Sequence, residues 1–333
     1  MLLHQMLSEG YVSARKHPEA AIWIYNYTAK TQYDQVWNDV TLQCRGLILD
    51  AAYRVVARPF PKFFNWGERA DQVIPDKPFE VYEKMDGSLG ILYWLEEQAY
   101  IATRGSFISE QSQVANHILQ EKYATVLPNL DRTKTYLFEI IYPENRIVVD
   151  YGEQRDLILL AVIDTASGVE EELPDVGFPV VKQYDGITDI EQLKALESTN
   201  KEGFVIRFES GLRYKIKFEE YLRIHRIVTQ VSSISIWEYL STGQPFDEIL
   251  ENVPDEFYAW VKAKAKTLKA EFRAIEDQCK AEFKVLDSRK ATAAYFKTCA
   301  YPSVLFAMLD DKPYDARIWR LIRPDFEQPF RRV

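Results

Sequence analysis

The sequence predicts an α+β protein: antiparallel sheets with flanking helices over residues 1–230, then a small all-helical domain over residues 231–333. Three observations predict it. Up to about residue 230, short segments rich in Ile, Val, Leu, Tyr and Phe recur between Gly and Pro punctuation, the pattern of strands. Glu209-Ser210-Gly211 lies between two of these segments and reads as a hairpin turn. After Ile236 the apolar residues return at intervals of three and four, the period of a helix.

The strand segments in order are Arg45–Asp50, Phe79–Lys84, Leu89–Leu95, Ala99–Arg104, Thr135–Ile141, Leu157–Ile163, Phe204–Phe208 and Leu212–Lys217. Helices are expected over Glu110–Tyr123 and Ile190–Ser198, the second opened by the capping-box pattern Thr188-x-x-Glu191. One long amphipathic helix is expected to carry Phe257, Trp260, Val261, Leu268, Phe272, Ile275, Cys279, Phe283 and Leu286 on its apolar face. Lys262, Lys266, Lys269, Arg273, Lys280 and Lys284 fall on the other face, which reads either as a solvated surface or as a phosphate contact. The tail arginines Arg317, Arg320, Arg323, Arg331 and Arg332 allow the same two readings.

Composition narrows the function classes. With 47% hydrophobic and 27% charged residues, the chain is ordinary for a protein that buries a core. The longest apolar run, Leu157 to Ile163, is too short to cross a bilayer, and no secretory signal is expected in residues 1–10. Cys44, Cys279 and Cys299 have no metal-like spacing and fit a reducing cytoplasm. The four histidines show no ligand spacing, which argues against a zinc site or a histidine-based hydrolase. Net charge is -9, all of it from residues 1–230, since 231–333 hold 16 basic and 16 acidic side chains. That excludes a generally basic nucleic-acid binder but not an enzyme that gathers its cations into one groove.

The chemistry is expected around Lys84, at the end of a strand and followed by Asp86-Gly87-Ser88. A lysine attacks only as the free amine, which burial or neighbouring positive charge promotes. Alone, Lys-x-Asp-Gly reads more readily as a surface turn. Its company weighs the other way. Lys215 and Lys217 alternate onto one face of a strand, where two cations repel unless an anion lies between them. An edge strand guarded by lysines is the structural alternative. Glu139 is a carboxylate inside an apolar strand, which marks either a site or a buried ion pair.

Taken in order, these residues make the chain resemble the bacteriophage RNA ligase 1 family of covalent nucleotidyltransferases. The correspondence runs from about Ile22 to His225. It comprises Tyr25-Asn26-Tyr27, Cys44-Arg45-Gly46, Arg58-Pro59, Lys62-Phe63-Phe64-Asn65 and the Lys84 motif. Then come Thr103-Arg104-Gly105-Ser106, Phe138-Glu139, Asn145-Arg146-Ile147-Val148, Glu202-Gly203-Phe204-Val205, and Lys215-Ile216-Lys217 with Tyr221.

The resemblance implies a nucleotidyltransferase domain and an ATP-dependent RNA ligase, with AMP carried covalently on Lys84. Tyr25, Arg45, Lys62, Phe64, Gly87, Arg104 and Tyr221 would surround the nucleotide and its phosphates. Lys215 and Lys217 would hold the α-phosphate, Glu139 would stand near the ribose, and Glu202 near the metal-bound phosphates. Asp86, Glu139 and Glu202 are candidates to hold Mg²⁺ (or Mn²⁺), through water, and Asp247 stands near an acidic site of the family's C-terminal region. Arg104 departs from the lysine common in the family, keeping charge but changing donor geometry. Met85 fills a variable position. The partners implied are RNA 5′-phosphate and 3′-hydroxyl ends, with a polynucleotide kinase/phosphatase acting upstream. A monomer in the cytoplasm of a cell or of a phage host is expected, with residues 231–333 selecting the RNA, a cleaved tRNA among the candidates. The alternatives are a non-catalytic RNA-end binder on the same fold, and a DNA ligase or capping-type nucleotidyltransferase.

Overall fold

The computed structural model of the chain describes residues 2–69, 72, 75, 77–187, 189–196, 198, 200–244, 253 and 255–328. By its internal packing the chain divides into two compact units, Met1–Leu222 and Arg223–Val333. The sequence had put the division at residue 230. The break instead falls within a helix, where no change of composition marks it.

Strands β1 (Val12–Lys16), β2 (Ile22–Tyr27), β3 (Arg45–Asp50) and β4 (Val55–Ala57) form a first antiparallel sheet in chain order. The strands that follow are β5 (Phe64–Asn65), β6 (Phe79–Glu83), β7 (Ser88–Leu95), β8 (Gln98–Thr103), β9 (Lys134–Ile141), β10 (Asp156–Asp164), β11 (Gln183–Tyr184), β12 (Gly203–Phe208) and β13 (Arg213–Lys217). They build a second sheet in the order β10-β9-β7-β8 and a third in the order β11-β6-β12-β13-β5. Pairings are antiparallel except that of β13 with β5, which is parallel. Gly211 closes the β12–β13 hairpin with φ of 80°, a conformation glycine adopts without steric cost.

The α-helices of this unit are α1 (Leu2–Ser8), α2 (Ala29–Tyr33), α3 (Asp39–Gln43), α4 (Glu110–Tyr123), α5 (Ile190–Ala195) and the start of α6 (Glu219–Gln230). The helix α4 begins where Ser109 accepts the Ser112 N–H and packs Ile118 and Leu119 onto one face of the second sheet, against Leu92, Ile101, Phe138 and Leu159. The opposite face of that sheet, through Ile91, Tyr93 and Leu137, meets Ile22, Ile24 and Ile48 of the first. Buried on both sides, the second sheet has strands that are near-continuous apolar runs, and these were legible in the sequence.

Strands β1, β2, β4, β5 and β11 were not. The three shortest have two or three residues, β1 is exposed at four of its five positions, and β2 sends Ile22 and Ile24 into one core and Trp23 and Tyr25 toward another, which erases the alternation. The helix α5 ends three residues before the expected Ser198, and the capping box expected before it falls on Thr188 and the Glu191 side chain, outside what is described.

The second unit is helical: α7 (Ser233–Thr242), α8 (Asp255–Glu282), α9 (Arg289–Phe296), α10 (Pro302–Leu309) and α11 (Asp315–Leu321) follow the end of α6. Ile275 and Cys279 of α8 pack with Phe296, Val304, Leu305 and Ile318 into its core. The predicted apolar stripe of α8 is buried at Phe257, Val261, Leu268, Ile275 and Cys279, and Lys262, Lys266, Lys269 and Lys280 are exposed. Phe283 and Leu286 lie beyond the helix, which ends at Glu282. Among the described residues no helix is long and apolar enough to cross a membrane.

Candidate active site

The third sheet assembles the core of the site by strand order. Lys84 follows the last residue of β6, Glu202 precedes the first of β12, and Lys217 ends β13, so the adjacency of the three strands puts a carboxylate between two lysines. The Lys84 N–H donates to the Gly203 carbonyl (2.9 Å), and Lys217 stands opposite Gly203 across the hairpin. The approach is tight: a Cβ on Gly203 would lie 1.9 Å from the Ile216 oxygen, and its φ of 144° excludes other residues. Lys84 Nζ donates to Glu202 Oε2 and Lys217 Nζ to Glu202 Oε1, each at 2.7 Å. Glu202 is buried at 3% exposure, a placement that a carboxylate tolerates when it is paired.

The second sheet brings Glu139. It stands on β9 opposite Leu89 of β7, and its Oε1 accepts the Gly87 N–H at 2.9 Å. Gly87 is needed there, because a Cβ would come within 2.6 Å of the Ile140 oxygen and 2.8 Å of Ile141 Cδ1. Burial pushes the Glu139 carboxyl up to about 7, and the neighbouring Glu202 charge acts in the same direction against Lys84. Lys215 has the opposite problem. Burial lowers it to about 8, with Lys62, Lys217 and Lys84 adding repulsion. The first sheet supplies Arg45, whose guanidinium is also lowered by burial and by Arg104, and whose Nη1 is buried with no hydrogen-bond partner in the structure. A buried donor without an acceptor is a place an anion fits.

Of these groups Arg45, Lys84 and Glu139 line a pocket of about 210 Å³, together with Arg213, while Glu202, Lys215 and Lys217 are not among its walls. Its apolar wall includes Phe63, Leu89, Val181 and Val205. A largely apolar pocket that also carries cations can take a base while its phosphates meet the charges.

Several expected site residues sit elsewhere. Tyr25 is buried with Met6, Val12, Cys44 and Leu47; Tyr27, two residues on, carries its hydroxyl 3.3 Å from Arg104 Nη1. Arg104 is exposed there, its guanidinium over the Tyr27 ring. Lys62 and Phe64 line a neighbouring pocket rather than this one, although the charge of Lys62 is felt at Lys215.

Asp86 does not face the pocket as a metal ligand would. Its Oδ2 accepts the Val148 and Val149 N–H groups at 2.9 Å each, and its Oδ1 accepts the Tyr221 hydroxyl at 2.8 Å. Tyr221 is thereby buried beneath the site, where burial first and the Glu202 and Asp86 charges next raise its phenol. Asp86 and Tyr221 brace the motif rather than line the pocket.

Glu202, expected at a metal, spends both oxygens on lysines, and among the described residues no group of three or more His, Cys, Asp or Glu could hold an ion. Asp247 lies outside the described residues, as do Arg331 and Arg332. Sequence reasoning missed Phe63, Val205 and Arg213 as pocket walls, and Tyr151, whose hydroxyl accepts the Asp86 N–H at 2.8 Å. Val205 was detectable in principle, since it shares a face of β12 with the half-buried Arg207.

The family model described as RNA ligase matches residues 43–222. A protein of Autographa californica nuclear polyhedrosis virus, provisionally named a bifunctional polynucleotide kinase/RNA ligase, is 28% identical over 272 residues, 73% of this chain and 39% of its own. A provisionally named RNA ligase of Thermovibrio ammonificans is 28% identical over 255 residues, 71% of this chain and 64% of its own. The RNA ligase of a Rhodothermus phage is 25% identical over 323 residues, covering 73% and 72%. The chain thus spans less than two thirds of the first two relatives.

Proposed function

The chain belongs to the RNA ligase family, whose model spans its residues 43–222, and from that premise we propose that it seals RNA 5′-phosphate and 3′-hydroxyl ends at the expense of ATP, through AMP carried on Lys84. The observation that carries the reading is the Lys84–Glu202–Lys217 cluster, whose Lys84 lines a largely apolar pocket of about 210 Å³, with Lys215 and Arg45 supplying further positive charge.

In the first transfer, the free amine of Lys84 attacks the α-phosphorus of ATP. An N–P bond forms, the bond to the bridging oxygen breaks, and pyrophosphate leaves. In the second, an oxygen of an RNA 5′-phosphate takes the AMP from Lys84, giving a 5′–5′ pyrophosphate. In the third, a 3′-hydroxyl attacks the RNA phosphorus and AMP departs. Lys215, Lys217 and Arg45 meet the charge on the phosphates, preplaced donors being worth most where water is excluded. Phe63 and Val205 flank the base, and Glu139, held by the Gly87 N–H, faces the ribose. A divalent ion, Mg²⁺ or Mn²⁺, would be held by phosphate oxygens and water with Glu139 as its protein contact, and would neutralise phosphate charge.

The substrate role is RNA repair, and the kinase named in the baculovirus relative fits an upstream step that prepares the ends. Incubation with α-labelled ATP and Mg²⁺, followed by denaturing electrophoresis, tests the first transfer. Label is expected on the protein and absent from Lys84→Ala; equal labelling of that variant would refute the role of Lys84. Sealing of nicked tRNA, linear single-stranded RNA and nicked duplex, with and without residues 237–333, then separates the substrates.

A further inference from the structure

Residues 84–87 cross from β6 in the third sheet to β7 in the second, so they belong to neither strand. Three N–H groups hold this crossing, each to a different element. Lys84 donates to the Gly203 carbonyl (2.9 Å), Asp86 to the Tyr151 hydroxyl (2.8 Å) and Gly87 to Glu139 Oε1 (2.9 Å). Glu139 lines the Lys84 pocket, whereas Tyr151 does not. The Tyr151 ring packs against the core of Ile141, Ile158 and Val181. Burial, with the charges of Asp86, Glu139 and Glu83, pushes its phenol up, so it accepts the Asp86 N–H as a neutral hydroxyl.

Tyr151 ends a short stretch, residues 148–151, that reaches both halves of the Lys84–Glu202 pair. Val148 and Val149 give their N–H groups to Asp86 Oδ2 at 2.9 Å each. The next residue, Asp150, turns its backbone to Asn200. Its N–H donates to Asn200 Oδ1 at 2.6 Å, and its carbonyl accepts Asn200 Nδ2 at 2.8 Å. Asn200 stands two residues before Glu202 and has a φ of 61°, a left-handed backbone that asparagine accepts more readily than most residues. One short piece of chain thus ties the two sides of the ion pair, in addition to the pairing of β6 with β12.

We propose that residues 148–151 fix the position of Lys84 relative to Glu202, with Tyr151 and Asn200 as positioning residues for the transfers that use Lys84. The inference rests on the ligase reading above. In the first transfer the Lys84 nitrogen bonds to the α-phosphorus and sheds a proton as pyrophosphate leaves. In the second that N–P bond breaks as an RNA phosphate oxygen attacks, and Lys84 regains its amine. The third joins the RNA phosphorus to a 3′-hydroxyl oxygen with AMP as the leaving group, and the Lys84 nitrogen neither makes nor breaks a bond. A reacting atom displaced by about 1 Å slows its step on the order of a hundredfold. Loss of the Tyr151 hydroxyl leaves the N–H of the buried Asp86 without that acceptor, two residues from the nucleophile. Its effect therefore falls on the first two transfers and spares the third.

The test uses the full chain in the variants Tyr151→Phe and Asn200→Gly. The first keeps the packed ring and removes only the hydroxyl; the second keeps the left-handed backbone and removes both ties to Asp150. Three rates are read: labelling by α-labelled ATP over a range of ATP concentrations, transfer of AMP from the loaded protein to a 5′-phosphorylated RNA, and joining of a pre-adenylylated RNA to a 3′-hydroxyl acceptor. In Tyr151→Phe the maximal labelling rate and the transfer are expected to fall about tenfold, with KM for ATP and the joining rate within about twofold of the wild type. Asn200→Gly is expected to show the same split at about threefold. Equal loss of all three rates would reduce the stretch to a general structural role and overturn the proposal. A raised KM at an unchanged maximal rate, or wild-type labelling in both variants, would overturn it too. If Tyr151→Phe has no thermal transition, Asn200→Gly, at an exposed residue, decides between the same outcomes. A wild-type protein that takes no label refutes the ligase reading itself, a result distinct from each of these.

Discussion

Lys84 and Glu202, 118 positions apart in the chain, meet at 2.7 Å because β6 and β12 are neighbours in one sheet. The second oxygen of Glu202 holds Lys217, so one buried carboxylate fixes the proposed nucleophile and a second lysine together.

Replacing this carboxylate is therefore expected to cost the first transfer more than the fold. Glu202→Gln keeps an acceptor for one lysine only, and labelling by ATP should fall on the order of a hundredfold. A variant that labelled at the wild-type rate would show that the lysine clamp is incidental.

Asp86 is expected to act on stability as well as on rate. Asp86→Asn replaces a buried acceptor of two N–H groups and a hydroxyl with a group that also carries donors, at a cost of about 2–4 kcal/mol. Tyr221→Phe removes one of those bonds and should cost about 1 kcal/mol. Thermal melts of both variants check the order, and the reverse ranking would contradict the bracing role.

Gly87→Ala should be destabilising by about 1–3 kcal/mol, since the added methyl meets a backbone oxygen that cannot step aside. Gly105→Ala is the control. It has no neighbour nearer than 3.9 Å and should stay within about 0.5 kcal/mol of the wild type by the same melts.

Glu139 makes stability depend on pH in a stated direction. Its carboxyl is raised from 4.5 to about 7 on folding, so between those values the unfolded chain has lost a proton that the folded chain keeps. Stability from this residue is thus full below about 4.5 and is lost as pH rises toward 7. Glu139→Gln removes the effect, so the melting point of the variant should gain on the wild type between pH 5 and pH 8, by the equivalent of about 2 kcal/mol. A constant difference would count against the burial of a titrating carboxyl.

On the proposed mechanism Lys215 sets an alkaline limit on nucleotide binding. Held near 8, it loses its charge above that pH, and KM for ATP should climb there. Lys215→Arg stays charged, so its KM should be flat from pH 7 to about 9.5, at a lower rate set by the altered donor geometry. Persistence of the alkaline rise in that variant would point to another group.

The sequence by itself determined much of this. The second-sheet strands, the helix over Glu110–Tyr123, the stripe of the long C-terminal helix and the α+β class were legible because burial on one or both faces imposes a periodicity on the residues. The ordered motifs around Lys84, Glu139, Glu202 and Lys215 were equally legible, since residue type and spacing along the chain are what a motif records. What only the tertiary structure decided is which of these side chains share a space. Tyr25 and Tyr27 are two residues apart, yet the first is buried in a separate core and the second stands beside Arg104. Asp86, one motif with Lys84, turns instead to the Val148 and Val149 amides and Tyr221. Lys62 and Phe64 went to a neighbouring pocket, and Arg213 joined the wall of both. Such placements depend on strand neighbours, register and close glycine contacts between distant segments, and no local pattern in the chain encodes a distance across a sheet.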